Sequence, residues 1–306
     1  MAKPPGQALR TGKACAPFRA HLEQVRSPSA SPSSWNTVQT GFLQAMQQFD
    51  DLVVAGMATE GERQNGKGDY FNDLLAVILE NASGATLNRR SGVGGLIFPN
   101  HNLDVTYPPT GQIVDVLVEA KMLGTPQHPG NASTQKVTGR PGSADMLKRC
   151  KEAGFKTIDL KAAYGMLQSA SGVQQQEGIT GDLTSWLRTA KPKSYLVAGI
   201  RVVSKQDADA AITMSAAMTQ VMDGVGIFLY SPRGYMPRSL RPADYEPVPV
   251  PSHLELVRVL QRVTQDLSAA RVRFAAAGPE TSDVRPPSAS VREALSKADV
   301  EPTSSD

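Results

Sequence analysis

The run IVDVLVEAKM at residues 113–122 is apolar enough to lie inside a sheet, yet it carries two carboxylates and a lysine. Side chains alternate along a strand, so Asp115, Leu117, Glu119 and Lys121 share one face while Val114, Val116, Val118 and Ala120 share the other. One face reads as core. The opposite face holds charges, and a chain that folds around this strand must either expose them or pair them.

The surrounding pattern supplies the rest of such a fold. Val38, Phe42, Met46, Phe49, Leu52 and Val53 recur at helical spacing behind a Ser or Asn cap, and Phe71, Leu74, Leu75 and Ile78 form a second helical stripe that ends at a Gly. Pro108, Pro109 and Gly111 mark a reversal between two apolar runs, which predicts an antiparallel hairpin. Further on, SYLVAGIRVV reads as a strand, the segment opened by Ser204 and Asp207 as a helix, and GVGIFLYS as another strand, together a parallel crossover. A last helix follows a capping box of Ser252 and Glu255, with Leu256, Leu260, Val263 and Leu267 on one side. The expected fold class is α/β, a mixed central β-sheet flanked by helices.

Composition shifts at both ends of the 306 residues. Residues 1–34 are rich in Ala, Ser and Pro and residues 277–306 have little apolar periodicity, so both are expected to be disordered tails around one α/β domain spanning 35–276. Two cysteines, Cys15 and Cys150, exclude a disulfide framework or a Cys-rich zinc site and point to a reducing, cytoplasmic setting. With no apolar run near the ~18 residues of a membrane helix and no apolar N-terminal stretch, neither membrane insertion nor secretion is expected.

If the hairpin is centred between Gly111 and Gln112, Asp104 lies opposite Glu119 on the same face. Two facing carboxylates repel unless a cation compensates them, and hard oxygen ligands suit Mg²⁺. A Mg²⁺ there would polarise a phosphoryl oxygen and acidify a bound water, with a nearby lysine orienting that water or offsetting charge. That is the chemistry of phosphodiester hydrolysis.

Asp104 followed by Glu119-Ala120-Lys121 at the end of an apolar strand resembles the PD-(D/E)xK nuclease superfamily, best known from type II restriction endonucleases, over roughly residues 68–230. The resemblance implies a restriction-endonuclease-like core, with Asp104 and Glu119 as metal ligands, the Ala120 carbonyl as an extra ligand and Lys121 as the catalytic lysine. Leu103 stands where the pattern has proline, and Asp115 is the alternative first acid. Many members add an acid or amide from the preceding helix; the candidates are Glu80, Asn72, Asp69 and Asp73. A competing match, Asp145 with Asp159-Leu160-Lys161, reads instead as a short strand with ordinary surface charges.

The stretch from 124 to 144 is a long loop of Gly, Pro and polar residues, a length usually reserved for function or disorder. Gln127, His128, Asn131, Gln135, Lys136 and Arg140 suit base edges and phosphates, and Lys148, Arg149 and Lys151 suit phosphates from the following helix. The formal net charge is only +3, but Lys136 to Lys161 is locally basic. The sequence lacks a P-loop, a nucleophile elbow and any metal-ligand spacing among His21, His101, His128 and His253; His101, near Asp104, reads as a turn residue. The expectation is a Mg²⁺-dependent endonuclease cutting double-stranded DNA as a homodimer, for which the resemblance allows a cognate DNA methyltransferase as partner; the alternatives are a repair or modified- or branched-DNA nuclease of the same superfamily, or a non-catalytic DNA-binding protein.

Overall fold

A computed structural model describes residues 11–27, 29–109, 114–129, 139–170, 183–232 and 244–277. Its centre is a six-stranded sheet in the order β1-β2-β3-β4-β5-β6. The strands are β1 (Asn88–Val93), β2 (His101–Tyr107), β3 (Val116–Leu123), β4 (Lys193–Arg201), β5 (Gly224–Pro232) and β6 (Tyr245–Val248). β3, β4 and β5 run parallel; β1, β2 and β6 pair antiparallel with their neighbours. The mixed sheet flanked by helices is the fold class expected from the sequence.

The parallel strands are apolar on both faces because helices cover both. On one side α1 (Ala16–Arg26), α2 (Trp35–Val54), α3 (Glu60–Ser83) and α7 (Leu256–Ala277) pack against Val116, Val118, Tyr195, Val197, Phe228 and Tyr230. On the other, α4 (Ser143–Ala170) and α6 (Lys205–Met218) cover Leu196, Ala198, Ile200, Val225, Ile227 and Leu229. The short α5 (Leu183–Thr189) leads into β4. The charged face of β3 is therefore not exposed: Leu117 and Glu119 are fully buried on the α4 side.

The hairpin register holds. Val105 pairs with Val118, Thr106 with Leu117 and Tyr107 with Val116, and one further step along the same register sets Asp104 against Glu119. The reversal itself, with Gly111 and Gln112, lies outside the described residues. α2 starts where Ser34 accepts a hydrogen bond from the Asn36 N–H, and α3 ends at Gly84 in the left-handed region, φ +65°. A Cβ at Gly84 would also come 2.5 Å from Arg271 Nη1. Gly84→Ala should therefore cost about 1–2 kcal/mol, the penalty of a side chain in that region, read as a lowered thermal midpoint.

Three expectations need correction, and one helix starts ahead of its apolar stripe. Residues 13–26 are not a tail: a 3-10 turn (Lys13–Cys15) leads into α1, whose Phe18, Leu22 and Val25 are core residues. Phe18 stacks on Phe49 and Tyr70 with centroids 4.7 and 4.3 Å apart, and the Cys15 N–H donates to Glu62. α3 begins at Glu60, earlier than its apolar stripe, because Thr59 and Glu62 form a capping box. Ser252 and Glu255 form no such box; they bound a 3-10 turn (Ser252–Leu254), and α7 starts after it. Asp159 and Lys161 lie on α4, not on a strand, and both are buried. α7 ends at Ala277, and the segment from 278 to 306 lies outside the described residues, as do residues 1–10.

Candidate active site

At the β2 and β3 ends furthest from the hairpin turn, the backbone ladder gives way to side chains. Beyond Val105↔Val118 the strands are held by Asp104, whose Oδ2 accepts the Ala120 N–H at 2.9 Å and Lys121 Nζ at 2.5 Å. Lys121 Nζ also donates to Glu119 Oε2 at 2.8 Å. One ammonium thus joins the two carboxylates that the register brings together. The N–H and C=O of a strand residue point to the same edge, so the Ala120 carbonyl faces the Asp104 side as well.

Glu119 is fully buried and would be costly without a second cation. Lys156, on α4, supplies it, donating to Glu119 Oε1 at 3.2 Å and Oε2 at 3.1 Å, and to the Asn102 carbonyl at 2.6 Å. Sequence reasoning counted Lys156 only as part of a basic segment. Its signal was helical: Met146, Cys150, Ala153, Thr157 and Leu160 form the inward stripe of α4, and Lys156 lies half-buried at the edge of that stripe. A lysine at the edge of a buried stripe can reach a carboxylate beneath it.

Burial would lower the pKa of Lys121, but Asp104 and Glu119 more than offset this and raise it, so Lys121 is a fixed positive charge. One turn before Lys156, Glu152 lies within electrostatic reach. Partial burial opposes its ionisation, while Arg149, Lys148 and Lys121 hold its carboxyl below the ordinary range.

The helix residue that reaches the site is Asn72, not Glu80. Asn72 Nδ2 donates to the Asp104 carbonyl at 3.1 Å, while its Oδ1, on the same amide, is buried without a hydrogen-bond partner. Glu80 Oε1 accepts the Leu87 N–H at 3.0 Å and Oε2 lies 3.5 Å from Arg89, which fastens the end of α3 to β1. Asp73 pairs with Arg89 at 3.1 Å and Asp69 with Arg90. Asp115 is also drawn elsewhere: just before β3 begins it is held by Lys191 at 2.6 Å and by Arg273, which removes it as the alternative first acid. His101 and Asp159 pair at 2.6 Å, and Lys161 binds Asp223 at 2.8 Å and the Ala190 carbonyl at 2.9 Å, so the competing match has its charges spent on packing.

Among the described residues no group of three or more His, Cys, Asp or Glu side chains gathers as a metal site. The donors present nonetheless suit Mg²⁺, which binds through one or two carboxylates and keeps several waters or substrate phosphates as its other ligands. Asp104 and Glu119 supply two hard oxygens around a position that already attracts a cation, and the partnerless Asn72 Oδ1 borders the same strand.

The residues expected to contact DNA divide. Lys136, Asn131 and Gln135 lie outside the described residues. Arg140 pairs with Asp145; Arg149 binds Glu152 at 2.7 Å and Lys148 approaches it at 3.9 Å, so these cations have acidic neighbours. Burial and the Arg63 charge both lower the pKa of His128, which favours the neutral ring. Lys151 is exposed on the same helix. No helix among the described residues is long and apolar enough to cross a membrane. No family model, curated protein or solved structure matches the chain, so geometry and chemistry carry the functional reading.

Proposed function

We propose that the chain is a Mg²⁺-dependent endonuclease that hydrolyses DNA phosphodiester bonds, in the manner of a type II restriction enzyme. The observation that carries this reading is the Asp104–Lys121–Glu119 bridge at the splayed end of the β2–β3 hairpin. Asp104, Glu119 and the Ala120 carbonyl would hold the ion. When bound, Mg²⁺ supplies Lewis-acid polarisation of the phosphoryl group and makes water a stronger nucleophile at neutral pH.

The side chains do the positioning. Lys121 sets a positive charge where the phosphorane-like transition state gains negative charge. Lys156 holds the Glu119 carboxylate in place, and Asn72 fixes the backbone at Asp104. Water adds to phosphorus, one P–O bond to a sugar breaks, and the proton lost by water ends on the departing hydroxyl. Cutting both strands of a duplex most simply uses two copies of the chain.

The test is incubation with long unmodified duplex DNA, with Mg²⁺ or with EDTA. Discrete fragments only with Mg²⁺ support a sequence-specific enzyme. Cutting confined to branched or modified DNA would move the substrate while keeping the chemistry, and binding without cutting would reject it. Two smaller effects accompany this reading. Asn72→Ala should slow cleavage about fivefold to tenfold, the worth of one hydrogen bond, and should also lower the thermal midpoint, because the Asp104 carbonyl loses that donor. Lys156→Met, which leaves buried Glu119 with Lys121 alone, should lower both stability and cleavage, measured by urea melts and initial rates.

A further inference from the structure

The loop between β1 and β2 displays its apolar residues outward. Ile97 is 68% exposed, Phe98 51% and Leu96 42%. Exposed apolar groups of this kind mark a contact surface when the backbone beneath them is built to hold them there. Here it is. The Ile97 and Phe98 N–H groups donate to the buried Asp159 carboxylate at 2.7 and 3.1 Å, and the same carboxylate binds His101 Nε2 at 2.6 Å. Gly95 N–H donates to the Phe98 carbonyl at 2.8 Å and closes the turn. A Cβ on Gly95 would lie 2.0 Å from Asp159 Oδ2, so the turn has no room for another residue.

The tip adjoins the candidate active site. Phe98 packs edge-on against Phe155 of α4, centroids 5.3 Å apart, and Phe155 is the neighbour of Lys156, which binds Glu119. Along α4, exposed Lys148 and Lys151 lie between exposed Leu147 and the exposed pair Phe155 and Ile158, with Glu152 3.9 Å from Lys148. Apolar groups interleaved with cations complement a strand of DNA, whose bases stack and whose phosphates are negative; a second copy of this surface would set like charges against each other.

We propose that the β1–β2 tip is a stacking wedge, in which Phe98, backed by Phe155 and flanked by Ile97, packs against a nucleobase beside the scissile phosphate. This rests on the nuclease reading of the Asp104–Glu119 site and adds to it a means of distorting the substrate. Inserted apolar wedges unstack base steps and bend the duplex, so the tip selects sequences whose steps open easily.

The experiment is ultraviolet cross-linking of the full chain to long duplex DNA carrying 5-iododeoxyuridine in place of thymidine, in EDTA, with the attached peptide read by mass spectrometry. The expected result is attachment at Phe98. Phe98→Ala should lose that cross-link and retain DNA about tenfold more weakly, equivalent to about 1.4 kcal/mol, while still cutting in Mg²⁺. Ile97→Ser, a second surface change, should weaken retention in the same direction. Cross-links confined to other segments, or full retention by both variants, in a chain that still cuts, overturn the wedge and leave the nuclease reading standing. A chain that neither retains nor cuts any DNA overturns both. Conversion of a dimer to a monomer by either variant, without a cross-link at the tip, assigns the surface to a second copy and overturns the wedge.

Discussion

Asp104→Asn is expected to reduce Mg²⁺-dependent DNA cleavage by about a thousandfold, equivalent to roughly 4 kcal/mol of transition-state stabilisation. The variant keeps shape and volume but removes the charge that pairs with Lys121 and one of the hard oxygens offered to the metal. Asp104 is about a quarter exposed at its side chain, so the fold should survive, and circular dichroism should be unchanged. Glu119→Gln should match it in activity but cost stability too, because Lys121 and Lys156 would then face a neutral amide at a fully buried position. Glu80→Gln, by contrast, should leave cleavage unchanged, since Glu80 is spent on Leu87 and Arg89. Initial rates on a single DNA substrate across the three variants separate these outcomes.

The largest stability effect is expected outside that site. Asp50 is fully buried between α2, α3 and the sheet, with Lys67 Nζ 2.7 Å from Oδ1, Arg201 Nε 3.7 Å from Oδ2, and the Tyr245 hydroxyl donating to Oδ2. Asp50→Ala would remove the carboxylate that buried Lys67 and Arg201 share, at a cost of about 3–5 kcal/mol, and should lower the urea midpoint by roughly 1–2 M. Burial already lowers the Lys67 pKa, with Asp50 opposing it; without Asp50 that opposition is lost. A lysine whose folded pKa is depressed binds fewer protons than in the unfolded chain. The variant's stability should therefore rise with pH across the window from that depressed value up to about 10.4, the unfolded pKa, and level off beyond it. Replacing both partners, Asp50→Leu with Lys67→Met, should recover much of the loss.

What could be read from the sequence was set by pattern. The hairpin register follows from Pro108, Pro109 and Gly111 because a reversal fixes pairing by residue sums, and this alone sets Asp104 against Glu119. α2, α3, β4, α6, β5 and α7 announced themselves through period, helped by the caps of α2 and α6 and by the Gly that ends α3; the box read before α7 was not one. α1 did not, because Ala, Ser and Pro around it masked Phe18, Leu22 and Val25, although their spacing of four and three is helical. β1 was hidden for another reason: its inward residues include Arg89, paired with Asp73, and Ser91, bonded to Thr106, and a strand buried through polar partners shows no apolar alternation.

The same logic separates the charges. Nothing local distinguishes Asp115, Glu80 or Asp159 from Asp104, since each is a carboxylate near an apolar segment. Their partners decide, and the partners come from distant elements: Arg273 on α7 for Asp115, Arg89 on β1 for Glu80, the β1–β2 loop for Asp159. Lys156 reached Glu119 in the same way, across from α4.

Metal binding at the hairpin end tests the account most directly. Mn²⁺ substitutes for Mg²⁺ in an all-oxygen site and reports its own environment by electron paramagnetic resonance. In the presence of duplex DNA, the wild-type chain is predicted to take up Mn²⁺ and the Asp104→Asn variant to lose that uptake. Equal uptake by the two, or none by the wild type, would contradict a metal-dependent site at Asp104 and Glu119.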